Sequence, residues 1–225
     1  MSRISSNNLK LSKPRVPQGF LLSPIKDQKL IETKRRQIVE GASRLFFEKG
    51  FHLASIREIA SACNMSMGQL YHYISSKDDI LILIFNQLME LWYKELLDPA
   101  IHEIKEPLPR LVKVLERVVR FISENRKLIL LVITESRSLN KKYLRIVQDM
   151  DNKNFINVYC NLLQDVAKEH PFEMDLDMAA NFIAFSSMFY VLRGWSVREK
   201  NPDKRAEFIV KSILRGLGLP FLKNA

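Results

Sequence analysis

The chain has 225 residues, a net charge of +10 and 47% apolar side chains. That is long enough for one or two domains with a sizeable core, and with only 7 Gly and 9 Pro the composition is that of a compact helical protein. Two cysteines, Cys63 and Cys160, exclude a disulfide framework and suit a reducing cytoplasm. No N-terminal apolar run resembles a signal peptide and no stretch reaches the length of a membrane span, so a cytoplasmic protein without membrane attachment is expected.

The positive charge is uneven, with a net of +6 over residues 1–80 and +4 over the rest. This suits a polyanionic partner for the N-terminal third. Residues 1–30 hold Pro14, Pro17 and Pro24 and six basic side chains against one acidic. They read as a basic flexible extension. Either Lys13 or Arg15 reaches a minor groove or phosphates, as basic arms do, or the segment is a solubilising tail. Phe20-Leu21-Leu22 is an apolar patch suited to docking on the body.

A first helix is predicted over about 31–49, with Ile38, Ala42, Leu45 and Phe46 at helical spacing. Lys34, Arg35 and Arg36 cluster at its start, where cations oppose the helix dipole. A nearby phosphate backbone explains them, and so does ordinary surface charge. Gly50 ends the helix.

Residues 53–81, LASIREIASACNMSMGQLYHYISSKDDIL, read as helix, turn, helix. Ser55 caps the first, whose apolar face is Ile56, Ile59 and Ala60. The turn is Cys63-Asn64-Met65, and Asn64 tolerates positive φ at lower cost than most residues. Ser66 caps the second helix, about Met67 to Tyr73. Such a unit can place its second helix in a major groove, or it is a plain pair of packing helices. In the first case Met67, Gln69 and His72 lie nearest the bases or backbone. Gln69 suits adenine through its amide, and Met67 suits apolar contact such as a thymine methyl.

The same residues carry a resemblance. Ile59-Ala60, Ser66-x-Gly68-x-Leu70-Tyr71-x-Tyr73 and Ser76-Lys77, together with Gly50-Phe51, resemble the DNA-binding domain of the TetR family of bacterial transcription repressors over roughly residues 31–81. Asn64 stands where the family usually has Gly and Ile74 where an aromatic is common; the first keeps the left-handed turn, the second keeps bulk. The resemblance implies that Tyr71, Tyr73 and Lys77 hold the phosphate backbone, that Arg57 reads a guanine, that Ser55 caps its helix and touches phosphate, that Leu70 anchors the recognition helix, and that Gly68 lets it pack closely.

A fourth helix begins at Ser76 or Lys77, with Asp78 and Asp79 favouring its first turn and a wide apolar stripe down to Leu97. The boundary between the DNA-binding domain, 31–80, and a ligand-binding and dimerisation domain, 81–225, is expected near residue 80. Further helices are predicted at about 108–124, 126–138, 141–169, from Asp175 or Asp177 to Arg198, and from the Asn201-Pro202 cap to Gly216. The expectation is an all-α fold of about nine helices. The helix carrying Phe182, Ile183, Phe185, Met188 and Phe189 is apolar on more than one face. By the resemblance, the last two helices pair two copies into a homodimer that binds a double-stranded palindromic operator.

The effector is least explicit. Trp92, Phe121, Tyr159, Phe185, Phe189 and Tyr190 are candidate lining for a small-molecule pocket, or core. Glu135-Ser-Arg137-x-x-Asn140-x-x-Tyr143 looks similar to a segment of TetR-like regulators that respond to acyl-coenzyme A or related thioesters. Arg137, Lys141, Lys142 and Arg145 suit phosphates or a carboxylate at the mouth of an apolar tunnel, or form a solvated helix face. A neutral or cationic lipophilic compound, as for regulators of multidrug efflux, is the alternative effector. A DNA-binding module that is architectural and takes no ligand is the alternative function. His52, His72, His102 and His170 lack a second ligand type at metal-like spacing, there is no glycine-rich phosphate loop, and no nucleophile–base pair stands out. No enzyme, metal or cofactor is expected.

Overall fold

The structure, a computed structural model, describes Leu11, Lys13, Pro14, Ile25 and residues 27–221, apart from the side chain of Ser138. Arg15 and Phe20-Leu21-Leu22 lie outside the described residues. These residues are all-helical and fall into two compact units, each discontinuous in sequence.

The first unit spans Pro14–Met89 and Lys127–Met150 over its described part. Helix α1, Gln28–Lys49, starts where the Asp27 side chain accepts the Leu30 N–H and ends at Gly50, whose φ of 85° is left-handed. Its buried residues include Ile38, Ala42 and Phe46. Gly41 marks the close approach to α2, Ile56–Ala62, because a Cβ there would lie 2.6 Å from the Ala62 carbonyl oxygen. The short α3, Met67–Tyr71, follows. Helix α4, Lys77–Leu96, has Ile80 to Phe85 buried all round, as a helix apolar on every side requires. It passes out of this unit at Met89.

The second unit spans, over its described part, Met1–Lys13, Glu90–Arg126 and Asp151–Ala225. A short helix absent from the predicted set, α5, Pro99–His102, is capped by the Asp98 side chain. Helix α6 covers Pro107–Glu124. Its inward face of Leu111, Val114, Leu115, Val118 and Ile122 is almost wholly buried. At these areas each such side chain contributes about 1.5–3 kcal/mol. Helix α7, Arg126–Glu135, and a 3₁₀ turn, Ser136–Ser138, return to the first unit.

The predicted single helix over 141–169 is divided. It comprises α8, Lys141–Asp151, a π-turn at Asn152–Ile156 and α9, Asn157–Val166. The wider π-turn leaves the Asn154 carbonyl to accept the Trp92 indole N–H at 3.3 Å, and Phe155 stacks on Trp92 with ring centroids 5.6 Å apart. The predicted helix from residue 175 is also divided, into α10, Leu176–Ser187, and α11, Phe189–Arg193. At the break Ser187 donates its hydroxyl to the Ile183 carbonyl at 2.8 Å. Helix α12, Pro202–Gly216, opens on the Asn201 cap. Helices α6, α9, α10 and α12 pack on one another. Cys63 and Cys160 are both free thiols. No helix among the described residues is long and apolar enough to cross a membrane.

Candidate nucleic-acid interface

Helices α2 and α3 are short, and both are held by reciprocal caps. Ser55 accepts the Glu58 N–H while the Glu58 carboxylate accepts the Ser55 N–H at 2.9 Å. Ser66 accepts the Gln69 N–H at 3.1 Å and the Gln69 carbonyl oxygen accepts the Ser66 N–H at 2.9 Å. Each cap satisfies two N–H groups that a helix start otherwise leaves open, and loss of such a cap costs about 0.5–2 kcal/mol. Lys49 pairs with Glu58. That bond and the one from Ser55 hold the Glu58 carboxyl down at about 2.

The turn between them is fixed by its backbone. Asn64 has φ 51° among the described residues, in the left-handed region where Asn is tolerated. The Met65 N–H returns to the Ala60 carbonyl at 2.9 Å, and Gln37 of α1 donates its amide to the Cys63 carbonyl at 2.6 Å. Leu70 is fully buried beneath α3, so the opposite face must point outward.

That outward face carries Met67, Gln69, Tyr71 and His72, with Tyr71 half exposed at 50%. Arg57 on α2 and Ser55 and Ser66 at the caps are also exposed. Gly68 is exposed, and a Cβ there would meet only the Ser66 hydroxyl at 3.9 Å. It therefore does not serve close packing of α3, as the sequence suggested. Gly41 does that work between α1 and α2, and Gly68 leaves the outer surface of α3 low.

Three expected phosphate contacts are placed differently from the rest. Tyr73 is 6% exposed and belongs to the core beneath α3. The Lys77 ammonium donates to the carbonyls of Phe51, His52 and Ala54 at 2.6, 3.2 and 3.1 Å and lies over the Phe51 ring. Burial lowers its pKa. Lys34 on α1 is partly buried and donates to Gln37 at 3.1 Å.

The expected effector residues fall in different surroundings, with Trp92 and Phe121 meeting at a ring-centroid distance of 5.6 Å. Trp92, Phe121 and Tyr159 are core of the second unit, at 1%, 4% and 1% exposure. Arg137 and Lys141 are exposed residues of the first unit. Phe185 and Phe189 lie on the surface, and Tyr190 lines a cavity of about 470 Å³ in the second unit. Its walls include Ile122 and Val191, the ring of Trp195, and the guanidinium-bearing Arg120, Arg126 and Arg205. Arg120 pairs with Asp203 at 2.8 Å, and Arg205 stacks on Tyr190. Sequence reasoning missed these arginines and Trp195, because α6, α11 and α12 meet only through the tertiary fold.

Among the described residues no group of three or more His, Cys, Asp or Glu side chains is placed to hold a metal ion.

Comparison with known proteins agrees with this geometry. Residues 38–84 match the family described as bacterial regulatory proteins, tetR family. The HTH-type transcriptional regulator HbdR of Aromatoleum sp. (strain CIB) is 28% identical over 131 residues, 58% of this chain and 57% of that protein. The match thus spans little more than half the length of this curated relative. Among solved structures, AibR in complex with isovaleryl coenzyme A and operator DNA superposes with a TM-score of 0.62 at 22% identity, over 84% of this chain and 100% of the other. The transcriptional regulator FadR of Bacillus subtilis in complex with stearoyl-CoA superposes with a TM-score of 0.68 at 18% identity, over 80% and 98%. The capped helix-turn-helix, its buried Leu70 and its exposed outer face all lie within or beside the matched residues, so residues 38–84 form a DNA-binding domain of the tetR family type.

Proposed function

We propose that the protein is a ligand-responsive transcriptional regulator that binds a palindromic operator as a homodimer and is released by a hydrophobic or amphipathic effector, acting as a repressor. The observation that carries the reading is the outer face of α3, with Met67, Gln69, Tyr71 and His72 exposed above a buried Leu70 and Arg57 exposed on α2. A rigid short helix with that face is the means by which such units enter a major groove. An excess of positive charge in the N-terminal third adds the sequence-independent attraction to phosphate.

The homodimer is supported by an apolar face on α10 and α12. Met178, Phe185 and Phe208 are 66%, 72% and 55% exposed, more large apolar surface than solitary scatter. A dimer projects two equivalent recognition helices onto one duplex, hence the palindrome.

A coenzyme A thioester is the effector we favour. Likeness of fold to AibR and FadR, bound to isovaleryl coenzyme A and stearoyl-CoA respectively, supports it, as does the segment from Glu135 to Tyr143. The cavity beside Tyr190, with three guanidinium groups and apolar walls, has suitable chemistry for an anionic amphiphile. The test begins with duplexes enriched from a random library by the purified protein. Release of the enriched duplex is then titrated with fatty acids, aromatic acids and their coenzyme A thioesters. Release by thioesters and not by free acids supports the assignment. Release only by an uncharged or cationic lipophile replaces it with the efflux-type reading, and release by none of them together with weak sequence preference supports an architectural binder.

A further inference from the structure

We propose that Tyr143 is a positioning residue for the recognition helix, tying the start of α8 to the turn between α3 and α4 so that the two respond as one piece. The inference rests on the DNA-binding reading above.

The tie is a closed ring of hydrogen bonds around Asp79, a carboxylate only 3% exposed. One of its oxygens accepts the N–H groups of Ser75 and Ser76 at 2.5 and 3.0 Å. The other accepts the Tyr143 hydroxyl at 2.6 Å. The Ser76 hydroxyl accepts the Asp79 N–H at 3.3 Å and lies 3.0 Å from the Tyr143 hydroxyl. Since Tyr143 donates its one proton to Asp79, Ser76 donates to Tyr143 and the ring closes. Burial and the bond to Asp79 push the Tyr143 phenol up to about 12, which keeps it a donor across the working pH range.

Both ends of the ring reach structure that matters. On one side, Ser75 follows Tyr73 and Ile74, whose N–H groups return to the Leu70 carbonyl at 2.9 and 3.3 Å. Ile74 is 2% exposed. The end of α3 is therefore fixed within a few residues of the ring. On the other side, Asn140 accepts the N–H groups of Lys142 and Tyr143 at 3.0 and 3.2 Å, which caps α8, and donates its amide to Asp78 at 3.3 Å. Glu135 at the end of α7 lies 3.8 Å from His52. One continuous segment thus grips the turn after α3 and the start of α4 at three points separated by 62 residues or more in sequence. At its far end α8 runs directly into the π-turn. A buried charged acceptor deprived of its donor is costly, so a discrete two-state tie is favoured over a gradual one.

The test is hydrogen–deuterium exchange of the full-length protein with and without a duplex enriched by the wild type. In the wild type the duplex slows exchange at residues 140–146 as well as in α3. In Tyr143→Phe the slowing in α3 remains, and the slowing at 140–146 falls at least fivefold. Ser76→Ala, which removes the third member of the ring, behaves the same way. A merely structural role for Tyr143 would raise exchange in free protein and leave the DNA-dependent difference intact, and that result overturns the inference. A wild type that binds the duplex with no response at 140–146 also overturns it. A wild type that enriches no duplex overturns the DNA-binding reading and this inference together.

Discussion

The ammonium of Lys77 lies 4.5 Å from the centre of the Phe51 ring and donates to the Phe51 carbonyl at 2.6 Å. This lysine, at the start of α4, therefore secures the loop that precedes α2. Lys77→Met removes a cation–π contact and the donor for three carbonyls. We expect a loss of about 1–3 kcal/mol in stability, read as a lower urea midpoint at unchanged slope. The slope of duplex affinity against salt should hardly change. A slope lower by about one would mean that the lysine neutralises a phosphate after all.

Arg57 and Gln69 should separate base reading from helix capping. Arg57 is exposed, so Arg57→Ala should leave stability unchanged and weaken the preferred duplex by about 1–3 kcal/mol relative to a scrambled one. Gln69 already directs its carbonyl oxygen to the Ser66 N–H, so only its amide N–H₂ is available to a base. Glu suits the same cap. Gln69→Glu should therefore keep the thermal midpoint while losing affinity for the preferred duplex, whereas Gln69→Ala should also lose about 1 kcal/mol of stability. Competition titrations with both duplexes, alongside thermal melts, check each outcome. Equal losses on both duplexes for Arg57→Ala would remove it from base reading.

The features legible in the sequence are those whose partners lie within a few residues. Ser55 and Ser66 announce helix starts by residue type, and Asn64 announces its left-handed turn. Apolar spacing on α4 and α6 announces their buried stripes. What was not legible depends on residues far apart in the chain. Nothing in the spacing of Tyr143 shows that it meets Asp79, and nothing near Lys77 shows that it turns toward Phe51. Trp92 and Phe121 have the composition of a ligand pocket, yet in the fold they fill space against each other and Phe155. The breaks at Met188 and at the π-turn are not legible because apolar periodicity continues through both.

The apolar face of α10 and α12 gives a prediction about assembly. Ile183 on α10 is fully buried, while Phe185 on the same helix is 72% exposed. An Asp at position 183 should unfold the chain, because it buries an unpaired charge. Phe185→Asp should leave the single chain folded and weaken self-association at least tenfold, because the charge then faces a partner's apolar surface. Sedimentation velocity at micromolar concentration, with circular dichroism as the folding control, distinguishes the two. A Phe185→Asp variant as dimeric as the wild type would place the interface elsewhere.

Asp151 closes α8, and burial pushes its carboxyl from the ordinary range near 4 up to about 6. The folded chain therefore binds this proton more tightly than the unfolded chain does. Its contribution to stability is fully present below about pH 4, declines as pH rises toward 6, and is lost above that. A shift of about two units corresponds to about 2–3 kcal/mol, lowered by whatever solvent reaches the group. Asp151→Asn removes the ionisation and keeps the size. Urea unfolding should find the variant about 2 kcal/mol more stable than the wild type at pH 7.5, with the difference shrinking to little at pH 4. Tyr159, whose phenol is raised first by burial and then by the Asp151 charge, stays neutral across this range and does not confuse the reading. A wild type and variant whose stabilities run parallel between pH 4 and 7.5 would show that the Asp151 carboxylate is well solvated in the folded chain.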